Sequence, residues 1–193
     1  DLLPLARRYD LVAMDVRGVG ASTPVTCHSG PEQAGFLEVD VTPDDAAERA
    51  FLADTLRAFA AACAARSGPI FRHLGTTAAA HDLERVRIAL GEPRLHFLGF
   101  SYGAHLGAVY ARLYPDRVGR FVLDGAVDTS LDWEQRARQR AAGLHRALLE
   151  SLARCRSRGQ CPIGDTPEEA IGRITGLLAR LDATPLPVWG GWL

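Results

Sequence analysis

The fold of this chain is decided by Leu95-His96-Phe97-Leu98-Gly99-Phe100-Ser101-Tyr102-Gly103, in which an apolar strand meets a serine flanked by glycines. We predict a strand at Leu95–Leu98 and an apolar helix from Ala104 to Tyr114, which Pro115 ends. A Gly-x-Ser-x-Gly string between a strand and a helix is typical of a nucleophile elbow, a sharp turn that exposes a reactive serine. The sequence therefore predicts Ser101 as a catalytic nucleophile.

The residues around Ser101 suit this role. Gly99 and Gly103 are expected to leave space where larger side chains would collide with the neighbouring backbone. The backbone N–H of Tyr102, at the positive end of the following helix, is placed to donate to a developing oxyanion. The alternative is an ordinary glycine-rich turn in which Ser101 only caps a helix.

Further strands and helices alternate on both sides of the elbow. The predicted elements are a buried strand at Tyr9–Met14 leading into the loop Asp15–Pro24, a helix capped by Thr42 that runs through Ala65, a helix at Ala78–Leu90 capped by Thr77, and a strand at Arg120–Gly125. Short apolar strands that alternate with helices predict an α/β fold, with a mostly parallel sheet covered by helices on both faces.

The character of the chain changes after Asp128. Residues 132–158 form a charged amphipathic pattern, and Thr166 caps a second helical pattern that runs to Leu181. We therefore predict two parts, an α/β core with the elbow at residues 1–128 and a helical lid at residues 129–193.

Composition excludes several classes of function. The net charge of -1 gives no field to attract nucleic acid, and no apolar run approaches the roughly 20 residues that cross a bilayer. All 22 basic residues are arginine, so no lysine-dependent P-loop, kinase or pyridoxal site can form. The four cysteines lack metal-site spacing, so we do not expect a metal site. Attack by a serine nucleophile also requires no metal or organic cofactor, so we expect none. Two disulfides or free buried thiols remain equally open.

Three stretches carry a resemblance to a known family. They are Asp15-Val16-Arg17-Gly18-Val19-Gly20-Ala21-Ser22-Thr23-Pro24, then Gly75-Thr76-Thr77 with Asp82-Leu83-Glu84-Arg85-Val86-Arg87, then Leu98 to Gly103 with Leu106, Gly107 and Tyr110. With these stretches the chain resembles the proline-iminopeptidase-like branch of the α/β hydrolases, especially the secreted tripeptidyl aminopeptidases of actinomycetes. The resemblance implies a secreted bacterial serine exopeptidase that acts on free amino termini.

The resemblance also implies roles for particular residues. Together with the spacing it suggests the disulfides Cys27–Cys63 and Cys155–Cys161. Arg17 is expected to brace its loop rather than touch substrate. The lid would restrict the site to chain ends, and Glu134 within it would receive the substrate's ammonium group.

Some features of the resembled family are not visible in the sequence. Such enzymes carry a His-Gly-Gly oxyanion loop upstream and a catalytic Asp and His after the lid. We expect His105 and His145 to be structural or solvated, and Asp124 and Asp128 to be loop caps first and acid candidates second. The triad Asp and His are therefore expected beyond residue 193, in a longer chain of which Asp1 is an internal position. The 193 residues alone are expected to be inactive.

Two alternatives stay open. An esterase or lipase uses the same elbow chemistry on another small acyl substrate, because specificity lies in lid contacts that the sequence does not resolve. A non-catalytic binding protein of the same fold would need no histidine base. The released peptide length, the preferred side chains and the oligomeric state are not indicated by any pattern.

Overall fold

A computed structural model of the chain describes residues 3–159, 161–184, 186–188 and 191–192. Contacts divide the chain into two compact units, Asp1–Thr129 and Ser130–Leu193. In the first unit the order is α1 (Leu3–Ala6), α2 (Gly30–Leu37), α3 (Ala46–Ser67), a 3-10 helix (Gly68–His73), α4 (Thr76–Ala89), β1 (Leu95–Phe100), α5 (Tyr102–Leu113), a 3-10 turn (Pro115–Arg117) and β2 (Val118–Asp124).

The strands β1 and β2 pair in parallel, with Phe97 opposite Phe121 and Phe100 opposite Asp124. The helix α5 connects them and packs against both. It lies close to the strands because Gly107 has no side chain: a Cβ there would fall 2.6 Å from Leu123 Cδ2. The predicted strands on either side of α5 and their parallel pairing are confirmed.

The core of the first unit lies between α4, α5 and the two strands. Its buried members are Ala79, Ala80 and Leu83 of α4 and Leu106, Val109 and Tyr110 of α5. Phe97 and Phe121 pack against this cluster with ring centroids 5.4 Å apart. Each large apolar side chain buried there contributes about 1.5–3 kcal/mol to folding, so the core fixes α5, and with it Ser101, relative to the strands.

The strand predicted at Tyr9–Met14 is wrong, because this segment has no strand geometry. A strand needs a neighbour that completes its hydrogen-bond ladder, and the described residues place none beside it. Leu11 and Val12 are 53% and 61% exposed, whereas Met14 packs against the core. Among the described residues of this segment, Met14 at its carboxyl end is the one that packs against the core cluster.

Three helices start at positions other than the predicted ones, and one helix is additional. The helix α5 begins at Tyr102 instead of Ala104. Thr42 does not cap α3: the Asp45 carboxylate accepts from Ala47 N at 2.8 Å and Glu48 N at 2.9 Å, so the helix begins later. Thr77 does not cap α4, because Gly75 takes that position. The helix α2 was not predicted, although Ser29 and Glu32 have the spacing of a capping box.

Two disulfides join Cys27 to Cys63 and Cys155 to Cys161, and no described cysteine is free. The two pairs suggested from the resemblance are confirmed. The first closes a loop of 36 residues between the segment before α2 and the helix α3. In the chain-entropy model, a crosslink over a loop of this length adds about 4 kcal/mol by restricting the unfolded chain.

The second unit consists of α6 (Trp133–Ser157), α7 (Pro167–Ala183) and an antiparallel pair, β3 (Pro187–Val188) and β4 (Gly191–Trp192). Asp132 caps α6, and the Thr166 hydroxyl accepts from Glu169 N at the start of α7. Both predicted helices are confirmed, while the role of this unit as a lid stays a prediction. None of the described helices has the length and apolarity needed to span a bilayer.

A buried polar network crosses from α4 to α5. The Tyr110 hydroxyl, fully buried, donates to Glu84 Oε2 at 2.6 Å, and Arg87 donates to both oxygens of the same carboxylate at 2.9 and 2.7 Å. The hydrogen bonds from Arg87 are the main cause that lowers the pKa of Glu84 to about 2, while burial raises the pKa of Tyr110. Glu84 therefore stays ionised at neutral pH and links the two helices.

We expect Tyr110→Phe to lower the free energy of unfolding of the complete protein by about 1–3 kcal/mol, because the Glu84 carboxylate loses a buried donor. The matched control is Tyr114→Phe, whose hydroxyl contacts His81 Nδ1 at an exposed position and whose loss should cost less than about 0.5 kcal/mol. Urea unfolding at pH 7 measures both. Equal losses in the two variants would show that the network does not stabilise the helix pair.

Candidate active site

Ser101 lies between the last residue of β1 and the first residue of α5, and it is exposed. Its backbone has φ 52° and ψ -115°, a left-handed conformation that residues with a side chain rarely adopt. Such strain costs of order 1–3 kcal/mol and persists only where the surroundings impose it. The strand, strained serine and helix together have the geometry of a nucleophile elbow.

The elbow is closed by the backbone contact between Gly99 and Gly103. A Cβ on Gly99 would fall 2.5 Å from both the carbonyl carbon and the oxygen of Gly103, too close for any side chain. The expectation is wrong for Gly103 itself, because a Cβ there would meet no described neighbour within 4 Å. Gly103 contributes its backbone to the contact, and Gly99 is the position where a side chain cannot fit.

The end of β2 holds the elbow from the other side. Ser101 N donates to Asp124 O at 2.8 Å. This bond extends the pairing of β1 with β2 by one residue and places Ser101 at the carboxyl edge of the parallel strands. In open α/β sheets this edge is where ligands bind.

The first turn of α5 offers backbone donors beside Ser101. Ala104 N and His105 N both bond to Ser101 O, at 3.0 and 3.2 Å, so they are the first amides of the helix with an intrahelical acceptor. The amides of Tyr102 and Gly103 precede them at the positive end of the helix dipole. Tyr102 N therefore lies directly after Ser101, ahead of the first amides that bond within the helix.

Arg17 braces the loop Asp15–Pro24, as expected from the sequence. Its Nε and Nη2 atoms donate to the two carboxylate oxygens of Asp82, each at 2.7 Å, and Nη1 donates to His73 O at 3.0 Å. The hydrogen bond from Arg17 lowers the pKa of Asp82. The guanidinium thus bonds to the end of the 3-10 helix at His73 and to the middle of α4 at Asp82.

The histidines of the first unit have other surroundings. His96 Nδ1 accepts from Arg120 N at 2.9 Å, and His81 Nδ1 lies 2.5 Å from Tyr114 Oη. His28 packs against Phe36 and Phe59. His105, on α5, has a buried Nδ1 with no hydrogen-bond partner among the described residues.

The remaining residues singled out from the sequence lie elsewhere. Asp124 acts through its backbone oxygen at the elbow, and Asp128 lies in the loop after β2. In the second unit Glu134 lies in the first turn of α6, where its exposed carboxylate pairs with Arg138 at 2.6 Å. His145 lies on the same helix and is exposed. Within the described residues no group of three or more His, Cys, Asp or Glu side chains could hold a metal ion.

Sequence reasoning missed one contact at the site. The Tyr102 hydroxyl, 26 positions away in sequence, donates to Thr76 Oγ1 at 3.4 Å. Gly75-Thr76-Thr77 was singled out only through the resemblance. No pattern of residue spacing in the sequence predicts that the first residues of two different helices lie side by side.

The fold and the elbow agree with a comparison against protein families, in which residues 2–186 match the family described as the α/β hydrolase fold. The chain belongs to this family. The resemblance found from the sequence motifs is therefore confirmed at the level of the fold.

Three bacterial proteins have sequences similar to parts of this chain. A tripeptidyl aminopeptidase of Streptomyces lividans is 42% identical over 132 residues, which cover 67% of this chain and 25% of that protein. Serine protease Hip1 of Mycobacterium tuberculosis is 35% identical over 169 residues, 85% of this chain and 32% of the protease. Carboxylesterase B of Mycobacterium tuberculosis is 31% identical over 183 residues, 94% of this chain and 35% of the esterase. The chain thus spans about a quarter to a third of the length of these relatives.

We expect Gly99→Ala to lower kcat/KM of the complete protein by about 100-fold, because the new Cβ would displace the Gly103 backbone and misplace Ser101. The contrasting variant is Gly103→Ala, whose Cβ points into open space among the described residues and should cost less than about tenfold. The rate of labelling by a fluorophosphonate, together with the far-UV spectrum of each variant, measures the effect. Similar losses for both alanines would refute the steric account of the elbow.

Proposed function

We propose that the complete protein is a serine hydrolase in which Ser101 attacks a carbonyl carbon and forms an acyl-enzyme. The observation that carries this proposal is the left-handed backbone of an exposed serine between a parallel strand and a helix. A serine in ordinary turn geometry would not need such strain. The bond from the carbonyl carbon to the leaving amine or alcohol would break, and a general base would pass the Ser101 proton to that leaving group. Attack of water would then release the acyl group as a carboxylic acid and return the proton to Ser101 Oγ.

The oxyanion of the tetrahedral intermediate is proposed to be held by Tyr102 N. This amide lies before the first amide of α5 that has an intrahelical acceptor, and the helix dipole favours negative charge there. Donors fixed by the fold need no reorganisation when the charge develops, so they lower the barrier more than solvent does.

We further propose that the general base and its acid lie in the complete protein outside this stretch of 193 residues. A neutral serine hydroxyl is a weak nucleophile until a histidine accepts its proton. The placement of the histidines supports the proposal: His81 and His96 have other hydrogen-bond partners, and His28 packs among aromatic rings. His105 lies on the nucleophile helix, one turn after Ser101, with its Nδ1 buried.

The proposed substrate is a peptide with a free amino terminus. Support comes from the names of two relatives, a tripeptidyl aminopeptidase and a serine protease. On the resemblance alone, the second unit would be the lid and Glu134 would receive the substrate's ammonium group. An exposed ion pair such as Glu134–Arg138 contributes less than about 1 kcal/mol, so an incoming ammonium can replace Arg138 at low cost.

An esterase is the second candidate function. The observation in its favour is that a relative matching 94% of the chain is named carboxylesterase B. The elbow chemistry is the same for an ester and an amide, and the distinction rests on the groups that contact the substrate. A non-catalytic binding protein is the third reading, which the strained serine disfavours because binding alone needs no nucleophile.

The protein is also proposed to be secreted by a bacterium. The disulfides Cys27–Cys63 and Cys155–Cys161 support this, because such bonds persist in oxidising compartments.

We expect Ser101→Ala in the complete protein to abolish fluorophosphonate labelling and to lower hydrolysis by at least about 10⁴-fold, because the attacking oxygen is gone. The matched control is Ser151→Ala on α6, whose hydroxyl donates to Ala147 O of its own helix at 2.7 Å and which should keep full activity. Turnover is measured on a tripeptidyl p-nitroanilide, on its amino-blocked analogue and on p-nitrophenyl acetate.

The results of these assays distinguish the three candidate functions. Cleavage of the free tripeptidyl anilide over the blocked one supports the exopeptidase, and turnover of the ester alone supports the esterase. No turnover and no labelling of the wild type supports the binding protein. Undiminished labelling of Ser101→Ala would reject Ser101 as the nucleophile.

A further inference from the structure

The helices α4 and α5 begin side by side at the elbow. Thr76 is the first residue of α4 and Tyr102 is the first residue of α5, directly after Ser101. The Tyr102 hydroxyl donates to Thr76 Oγ1 at 3.4 Å, at the long end of the hydrogen-bond range. Hydrogen bonds at a catalytic site are often long in the free enzyme and shorten when substrate binds.

Thr76 is a well-fixed anchor. Arg17 donates to His73 O, three residues before Thr76, and to the Asp82 carboxylate within α4. Leu74 packs so closely against Gly18 that a Cβ there would fall 2.6 Å from Leu74 Cδ2. The start of α4 is therefore tied to the loop Asp15–Pro24 on both sides of Thr76.

The Tyr102 ring is held on a second side. The ring of His105, one turn later on α5, lies 6.3 Å from it between centroids. Tyr102 is 48% exposed, and Tyr102→Phe would keep the part of the ring that is buried, so removing the hydroxyl alone should change the stability of the fold little. Its anchored hydroxyl thus acts mainly on the local geometry of the first turn of α5.

We infer that the Tyr102 side chain is a positioning residue for catalysis: through its hydrogen bond to Thr76 it keeps its own backbone N–H directed at the oxyanion. The inference rests on the proposed function, because it concerns the donor of that same site. The side chain need not touch substrate. Restraint at the hydroxyl reduces rotation of the first peptide of α5, and a fixed donor stabilises the transition state more than the bound substrate.

The test compares Tyr102→Phe, Thr76→Val and the double variant in the complete protein. We expect each single change to lower kcat by about three- to tenfold with KM changed less than about twofold, as loss of one hydrogen bond predicts. The double variant should be no worse than either single one, because both remove the same bond. Thr76→Ser, which keeps the hydroxyl, should retain most of the activity.

Two readouts separate positioning from a structural role. The affinity for a peptidyl boronic acid, which forms a tetrahedral adduct on serine, should fall by the same factor as kcat, while the unfolding midpoint should stay unchanged. Tyr114→Phe removes a tyrosine hydroxyl contact at the other end of α5 and should alter neither kcat nor boronate affinity.

The inference is overturned if Tyr102→Phe keeps wild-type kcat and boronate affinity, or if the losses of the single variants multiply in the double variant. Ser101→Ala, assayed in parallel, distinguishes this failure from that of the proposed function. An inactive Ser101→Ala with a fully active Tyr102→Phe rejects only the positioning role, whereas an active Ser101→Ala rejects the nucleophile as well.

Discussion

Ser101 holds a backbone φ of 52°, and a residue with a side chain keeps this conformation only where its neighbours allow no other. Two neighbours impose it. Because Gly99 has no Cβ, the Gly103 backbone can lie in the space that a Cβ would occupy. On the other side, Asp124 O accepts a hydrogen bond from Ser101 N at 2.8 Å. Because one contact comes from the helix side and the other from β2, the serine is fixed to both elements, and its hydroxyl is left exposed at the edge of the strands.

Contacts farther from Ser101 in the first unit hold the elbow in place. The half-buried Glu84 carboxylate joins α4 to α5 by accepting hydrogen bonds from Arg87 and Tyr110. Because Gly107 has no side chain, α5 can lie against β1 and β2. Farther out, Arg17 joins the loop Asp15–Pro24 to α4. The charged groups thus fix the positions of the helices and the loop relative to one another. Apolar packing supplies most of the free energy of folding.

The sequence alone predicted those elements that depend on residues close to one another in the chain. Gly-x-Ser-x-Gly between an apolar run and a helical pattern predicted the elbow, and Asp132 and Thr166 predicted the starts of α6 and α7, because capping acts within one turn. Tyr9–Met14 failed as a strand, because pairing depends on a neighbour that local pattern does not reveal. The same limit hid the contact between Tyr102 and Thr76, which exists only because α4 and α5 begin together.

The fold is proposed to hold Ser101 as a nucleophile with Tyr102 N as an oxyanion donor. The most direct test of this pairing is a crystal structure of the complete protein after reaction with a fluorophosphonate. We expect a covalent bond from phosphorus to Ser101 Oγ, a positive φ at that residue and a phosphonyl oxygen about 2.7–3.1 Å from Tyr102 N. An adduct on another residue, or a phosphonyl oxygen turned away from the first turn of α5, would contradict it.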